Sequence, residues 1–132
     1  MPVSDLATLL SQMRPELHSG RYAFVTLPPG YPLDQSRIVA SIREPEGLSV
    51  IIVEEDAVDL GLPIAFIAAW ITLTVHSDLA AVGLTAAFST ALGQAGISCN
   101  VVAGVYHDHL FVPVGQEQEA MKVLNALQQA AL

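Results

Sequence analysis

Between Trp70 and Pro113 the hydrophobic period changes more than once, and each change narrows what the chain can build. Ile71, Leu73 and Val75 alternate with Thr72, Thr74 and His76, the period of two expected of a strand with one buried and one wet face. Ser77 and Asp78 supply a polar turn. Leu84, Phe88, Ala91, Leu92 and Ala95 then recur at helical spacing, which predicts an amphipathic helix of about 13 residues stopped by Gly96. Residues 97–103 return to alternation, with Ile97, Cys99, Val101 and Ala103 on one face, and Gly104 to Asp108 turn the chain into Leu110-Phe111-Val112. A hairpin therefore follows the helix. Gly115, Glu117 and Glu119 open a last helix, where acids suit the N-terminal dipole, and Ala120, Leu124 and Leu127 form its apolar stripe. The order is βαββα.

Upstream, Leu6, Leu9, Leu10 and Met13 have helical spacing, with Ser4 placed to cap them and Pro15 to end them. Tyr22 to Thr26 is rich in strand formers, and Pro28-Pro29-Gly30 forces a loop up to about Ser36. Ile38, Ala40 and Ile42 alternate with polar or edge residues, Glu44-Pro45-Glu46-Gly47 supplies turn chemistry, and Leu48 to Val53 is an apolar strand. Glu54, Glu55 and Asp56 crowd the start of a short helix, where the dipole explains them better than a metal would. Leu48 through Val58 thus matches Leu110 through Ala120 as strand, acids, helix, a faint internal repeat. The first copy is degenerate, with the Pro-Pro-Gly loop where the second has its long helix. The second copy stops one strand short of a six-element unit, and the open edge must be covered by the first half or by another chain.

Composition limits the partners. A formal charge of −8 with only 5 Lys and Arg in 132 residues repels phosphate backbones and anionic headgroups, so nucleic acid and membrane surfaces are excluded as expected partners. Leu60 to Val75 is apolar but shorter than the ~20 residues of a membrane span and broken by Gly61 and Pro63, which reads as linker and buried strand. Cys99 is the only cysteine, so no internal disulfide forms, and its apolar face marks a buried thiol rather than a nucleophile. The N-terminus lacks the basic region and apolar run of a secretory signal, and a cytoplasmic location is the expectation.

The runs Ile71-Thr-Leu-Thr-Val-His-Ser-Asp78, Val82-Gly83-Leu84-Thr-Ala-Ala-Phe88, Ala95-Gly96-Ile97-Ser98-Cys-Asn100-Val and Tyr106-His-Asp-His109-Leu-Phe-Val-Pro113 together resemble an ACT domain. More narrowly, the chain resembles small stand-alone bacterial proteins with tandem ACT units, the second unit better preserved. That resemblance implies an α+β, ferredoxin-like fold of βαββαβ type: tandem ACT-like units with antiparallel sheets and helices on one face. It divides the chain into a degenerate ACT-like unit over residues 1–62 and an ACT domain over 63–132. It further implies a non-enzymatic regulatory homodimer that binds a small molecule, an amino acid first, at an interface between ACT units.

The turn before the long helix is the candidate ligand site, because helix N-termini expose unpaired N–H groups that attract a carboxylate. His76, Ser77, Asp78, Val82, Gly83 and Leu84 lie there. In the ACT family a glycine at this turn borders the effector pocket; the alternative for Gly83 is a glycine needed only for packing. Asp78 either reaches the ligand or caps the helix. Asn100 offers both donor and acceptor to an amino acid, or is a satisfied edge residue. His107-Asp108-His109 has metal-ligand chemistry but no converging partners in sequence, and His76 and Ser77, adjacent on a strand, point to opposite faces. No catalytic residue, metal or cofactor is expected. The rival expectation is a structural or interaction module with a vestigial pocket.

Overall fold

The computed structural model describes residues 5–75 and 79–132. In chain order these form α1 (Leu6–Gln12), β1 (Pro15–Leu17), β2 (Tyr22–Leu27), a 3-10 turn (Gln35–Arg37), β3 (Ala40–Glu44) and β4 (Gly47–Val53). There follow α2 (Glu54–Asp59), β5 (Phe66–Leu73), α3 (Leu84–Gln94), β6 (Asn100–Ala103), β7 (Asp108–Pro113) and α4 (Glu117–Ala130). Two compact units result: Ser19–Ala68, and a second made of the residues up to His18 together with Ala69–Leu132. The division passes through β5. The compact second unit is therefore not one contiguous stretch of chain.

In the Ser19–Ala68 unit, β2 pairs antiparallel with β4 and with the first residues of β5, and β4 pairs antiparallel with β3. The spatial order is second, third, first and fourth strand, as in a ferredoxin-like fold. Ala23, Val25 and Leu27 alternate toward the core, where they meet Val50, Ile52 and Ala57. The crossover between its first two strands holds only the 3-10 turn, because Pro28, Pro29 and Gly30 cannot continue a helix. Arg37 ties that turn to α2 through Asp56 at 3.0 Å, and Glu54, Glu55 and Asp56 occupy the first turn of α2.

In the other unit the sheet runs β1-β5-β7-β6, with β1 antiparallel to β5 and β6 antiparallel to β7. Three residues from near the start of the chain thus supply the strand that the βαββα run lacks. Leu9 of α1 and Met13, which caps its end, come with them into a core shared with Ile71, Leu73, Phe88, Leu92, Leu110 and Leu124. The helix cap is Asp5, which accepts from the Thr8 amide at 3.0 Å, and Ser4, expected to cap, lies outside the described residues. Ala69, Ile71 and Leu73 face this core, which turns Trp70 and Thr72 to the opposite face of β5. Thr72, expected to be wet, is only 6% exposed and is the one buried polar residue among those described. Among the described residues no helix is long and apolar enough to cross a membrane.

Candidate functional site

The first turn of α3 is built as the periodicity of residues 84–95 requires. Leu84, Phe88 and Leu92 are buried, so the helix lies with that stripe on the sheet and begins at Gly83. Gly83 sits at φ +106°, a conformation that side-chain-bearing residues rarely adopt, and its carbonyl accepts from the Ala87 amide at 2.9 Å. The cap residue is a glycine and has no side chain of its own with which to cap this turn. The space that a Cβ at Gly83 would occupy is taken by Leu6 of α1, whose Cδ2 would lie 3.0 Å away. Packing of α1 is therefore a sufficient reason for a glycine there.

The other sequence-derived candidates divide. Val82 is almost wholly exposed, whereas the Leu84 side chain is in the core and offers a ligand only its backbone. His76, Ser77 and Asp78 lie outside the described residues. Asn100 is exposed at the start of β6, opposite Phe111 in register. An α-helix rises 1.5 Å per residue, so α3 separates Gly83 from the segment leading into β6 by about 16 Å along its axis.

A different cluster assembles on the face of the sheet away from the helices. His18, just past β1, stacks on Trp70 of β5 with ring centroids 3.6 Å apart and 11° between planes. Its Nε2 lies 2.7 Å from Thr72 Oγ1, which in turn lies 3.0 Å from His109 Nδ1 of β7. The Trp70 indole N–H donates to the same His109 Nδ1 at 3.1 Å, and Trp70 also stacks on the fully buried Phe111. Burial lowers the His18 imidazole below its ordinary range, against the pull of the Glu16 carboxylate. Burial likewise lowers His109, helped by His107 and His18 and opposed by Asp108, and it raises the Asp108 carboxyl. Sequence reading missed this cluster. Trp70 and Thr72 share a strand face by periodicity, but only pairing across β1, β5 and β7 brings His18 and His109 to them. Among the described residues no three metal-binding side chains converge.

Cys99 packs against the core, and burial pushes its thiol up to about 11. The thiolate is the reactive form, so iodoacetamide at about pH 8 should alkylate Cys99 slowly in the native chain and rapidly once denaturant exposes it. Mass spectrometry of the two samples checks this.

Two four-stranded units of ferredoxin-like strand order define a tandem α+β protein of ferredoxin-like fold. Family models described as ACT domain match residues 2–69 and 66–126, and the chain belongs to the ACT-domain family. It is 45% identical to a protein of unknown function from Vibrio cholerae described as a possible transport protein, covering 93% of this chain and 95% of that one at TM-score 0.83. A protein from Agrobacterium tumefaciens is 17% identical, with 89% and 90% of the chains covered and TM-score 0.67. The regulatory subunit of aspartate kinase from Thermus flavus shares the fold at 8% identity, with 88% and 96% covered and TM-score 0.56. Comparison with curated proteins found no match.

Proposed function

We propose that this chain is a non-catalytic regulatory protein that binds a small metabolite, most simply an amino acid, as a homodimer. What carries the reading is the pair of ACT-domain matches in tandem along the whole chain, an arrangement shared with an aspartate kinase regulatory subunit. The glycine-capped first turn of α3 supports it, since main-chain N–H groups and the helix dipole attract a carboxylate. A cytoplasmic location belongs to the same proposal. Thermal unfolding in the presence of single amino acids tests it. A ligand held only by the native state at about 100 times its Kd adds about 2.7 kcal/mol, several degrees of Tm for a chain of this size. No shift with any amino acid at millimolar concentration counts against the reading.

One observation favours the alternative of an interaction module whose pocket is vestigial: Leu6 already fills the approach over Gly83. In that case a stable complex with another protein forms while no metabolite raises Tm, in the native chain or in Leu6→Ala.

A further inference from the structure

The contacts around His109 define the position of its proton. An indole N–H only donates, so the bond from Trp70 requires His109 Nδ1 to be an acceptor, and the ring proton then sits on Nε2. Thr72 has one hydroxyl proton. With Nδ1 bare, that proton goes to His109, and the 2.7 Å contact on the other side is completed by His18 donating from Nε2. One run of donors, His18 to Thr72 to His109, meets a second donor from Trp70 on the same nitrogen. A further proton on His109 has only Nδ1 to occupy, and there it abolishes the bond from Trp70, while the Thr72 hydroxyl, with a lone pair to spare, turns to accept from Nδ1–H. A further proton on His18 goes to its Nδ1 instead. It leaves the Nε2 donation in place and puts a cation over the Trp70 ring, a favourable arrangement.

We propose that His109 is a pH-sensitive latch: neutral, it ties β7 to the Trp70 indole of β5, and protonation releases that bond while reversing the one to Thr72 and leaving His18 attached. Among the described residues, the groups facing it come from each neighbouring element. Glu16 and His18 come from the β1 segment, Thr72 and Trp70 from β5, His107 and Asp108 from the β7 hairpin, and β6 presents uncharged Val102 in register. Asp108 favours the proton, whereas burial, His107 and His18 oppose it, and the balance lowers His109 from its ordinary 6.5. Folding thus favours the neutral ring. The stabilisation from the latch is complete above that ordinary value and is lost as pH falls through the lower value of the folded state.

Trp70 is the only tryptophan in the chain, and because the stacked His18 also titrates against its ring, the latch is read in His18→Asn. The experiment follows emission of the full chain from about pH 8 to about pH 5, the span in which histidines titrate, alongside imidazole 15N NMR. The expected result in His18→Asn is a single-proton step in emission below the ordinary histidine value, coincident with titration of His109, which carries its proton on Nε2 at neutral pH. The step is lost when His109→Asn, whose side-chain oxygen accepts from the indole without titrating, is added. A proton on His109 Nδ1 at neutral pH, a step that survives in the double variant, or no step in His18→Asn overturns the proposal. The tautomer measurement decides even if the variant folds poorly.

Discussion

Leu9→Ala will cost about 2–5 kcal/mol of stability, because it deletes a fully buried side chain from a core that closes only partly around the gap. Leu9 belongs to a seven-residue helix that would be marginal alone, yet it packs in the same cluster as Ile71, Phe88, Leu110 and Leu124. The strand that follows this helix pairs Leu17 with Ile71 and closes the sheet edge left open by the βαββα run. Leu9 therefore reports whether the start of the chain is part of the second unit. Urea unfolding measures the effect as a lowered midpoint. Leu132→Ala, at a residue 80% exposed, is the control and should stay within about 0.5 kcal/mol of the native chain. A midpoint unmoved by Leu9→Ala would mean that this helix is not docked.

Gly47→Ala will destabilise the Ser19–Ala68 unit by at least about 2 kcal/mol, combining backbone strain with overpacking. Gly47 starts β4 at φ +144°, and an added Cβ would stand 2.8 Å from the Leu27 carbonyl oxygen and 3.0 Å from Thr26 Cγ2. That carbonyl belongs to β2, which pairs with β4 over its whole length, so it cannot retreat without loosening the ladder. Gly30 separates the two costs. It too has a positive φ, +76°, but an added Cβ there meets nothing within 4 Å, so Gly30→Ala should cost only about 1 kcal/mol of conformational strain. Paired melting curves give the difference, and equal losses at both positions would contradict the steric account.

The long central helix, the hairpin after it and the last helix were legible because each carries a sustained apolar period matched to its geometry. The same period put Leu84, Phe88 and Leu92 in the core before any contact was known. Leu48 to Val53 and the acids after it were legible for the same reason, and so was the absence of a long helix after Pro28-Pro29-Gly30. The candidate ligand turn was legible only as a motif. Its glycine is where the spacing put it, but the neighbour above it, Leu6, comes from a helix whose docking no local pattern reveals.

The sequence by itself determined the types and order of the longer elements, though not β1, and, through resemblance, the ACT family, since these depend on residues close in the chain. Tertiary structure decided which strand fills the open edge, that Thr72 is buried, and that His18, Trp70, Thr72 and His109 meet. Those outcomes rest on pairing between segments more than fifty residues apart for β1 and β5, where alternation tells which face a side chain takes but not which strand lies alongside.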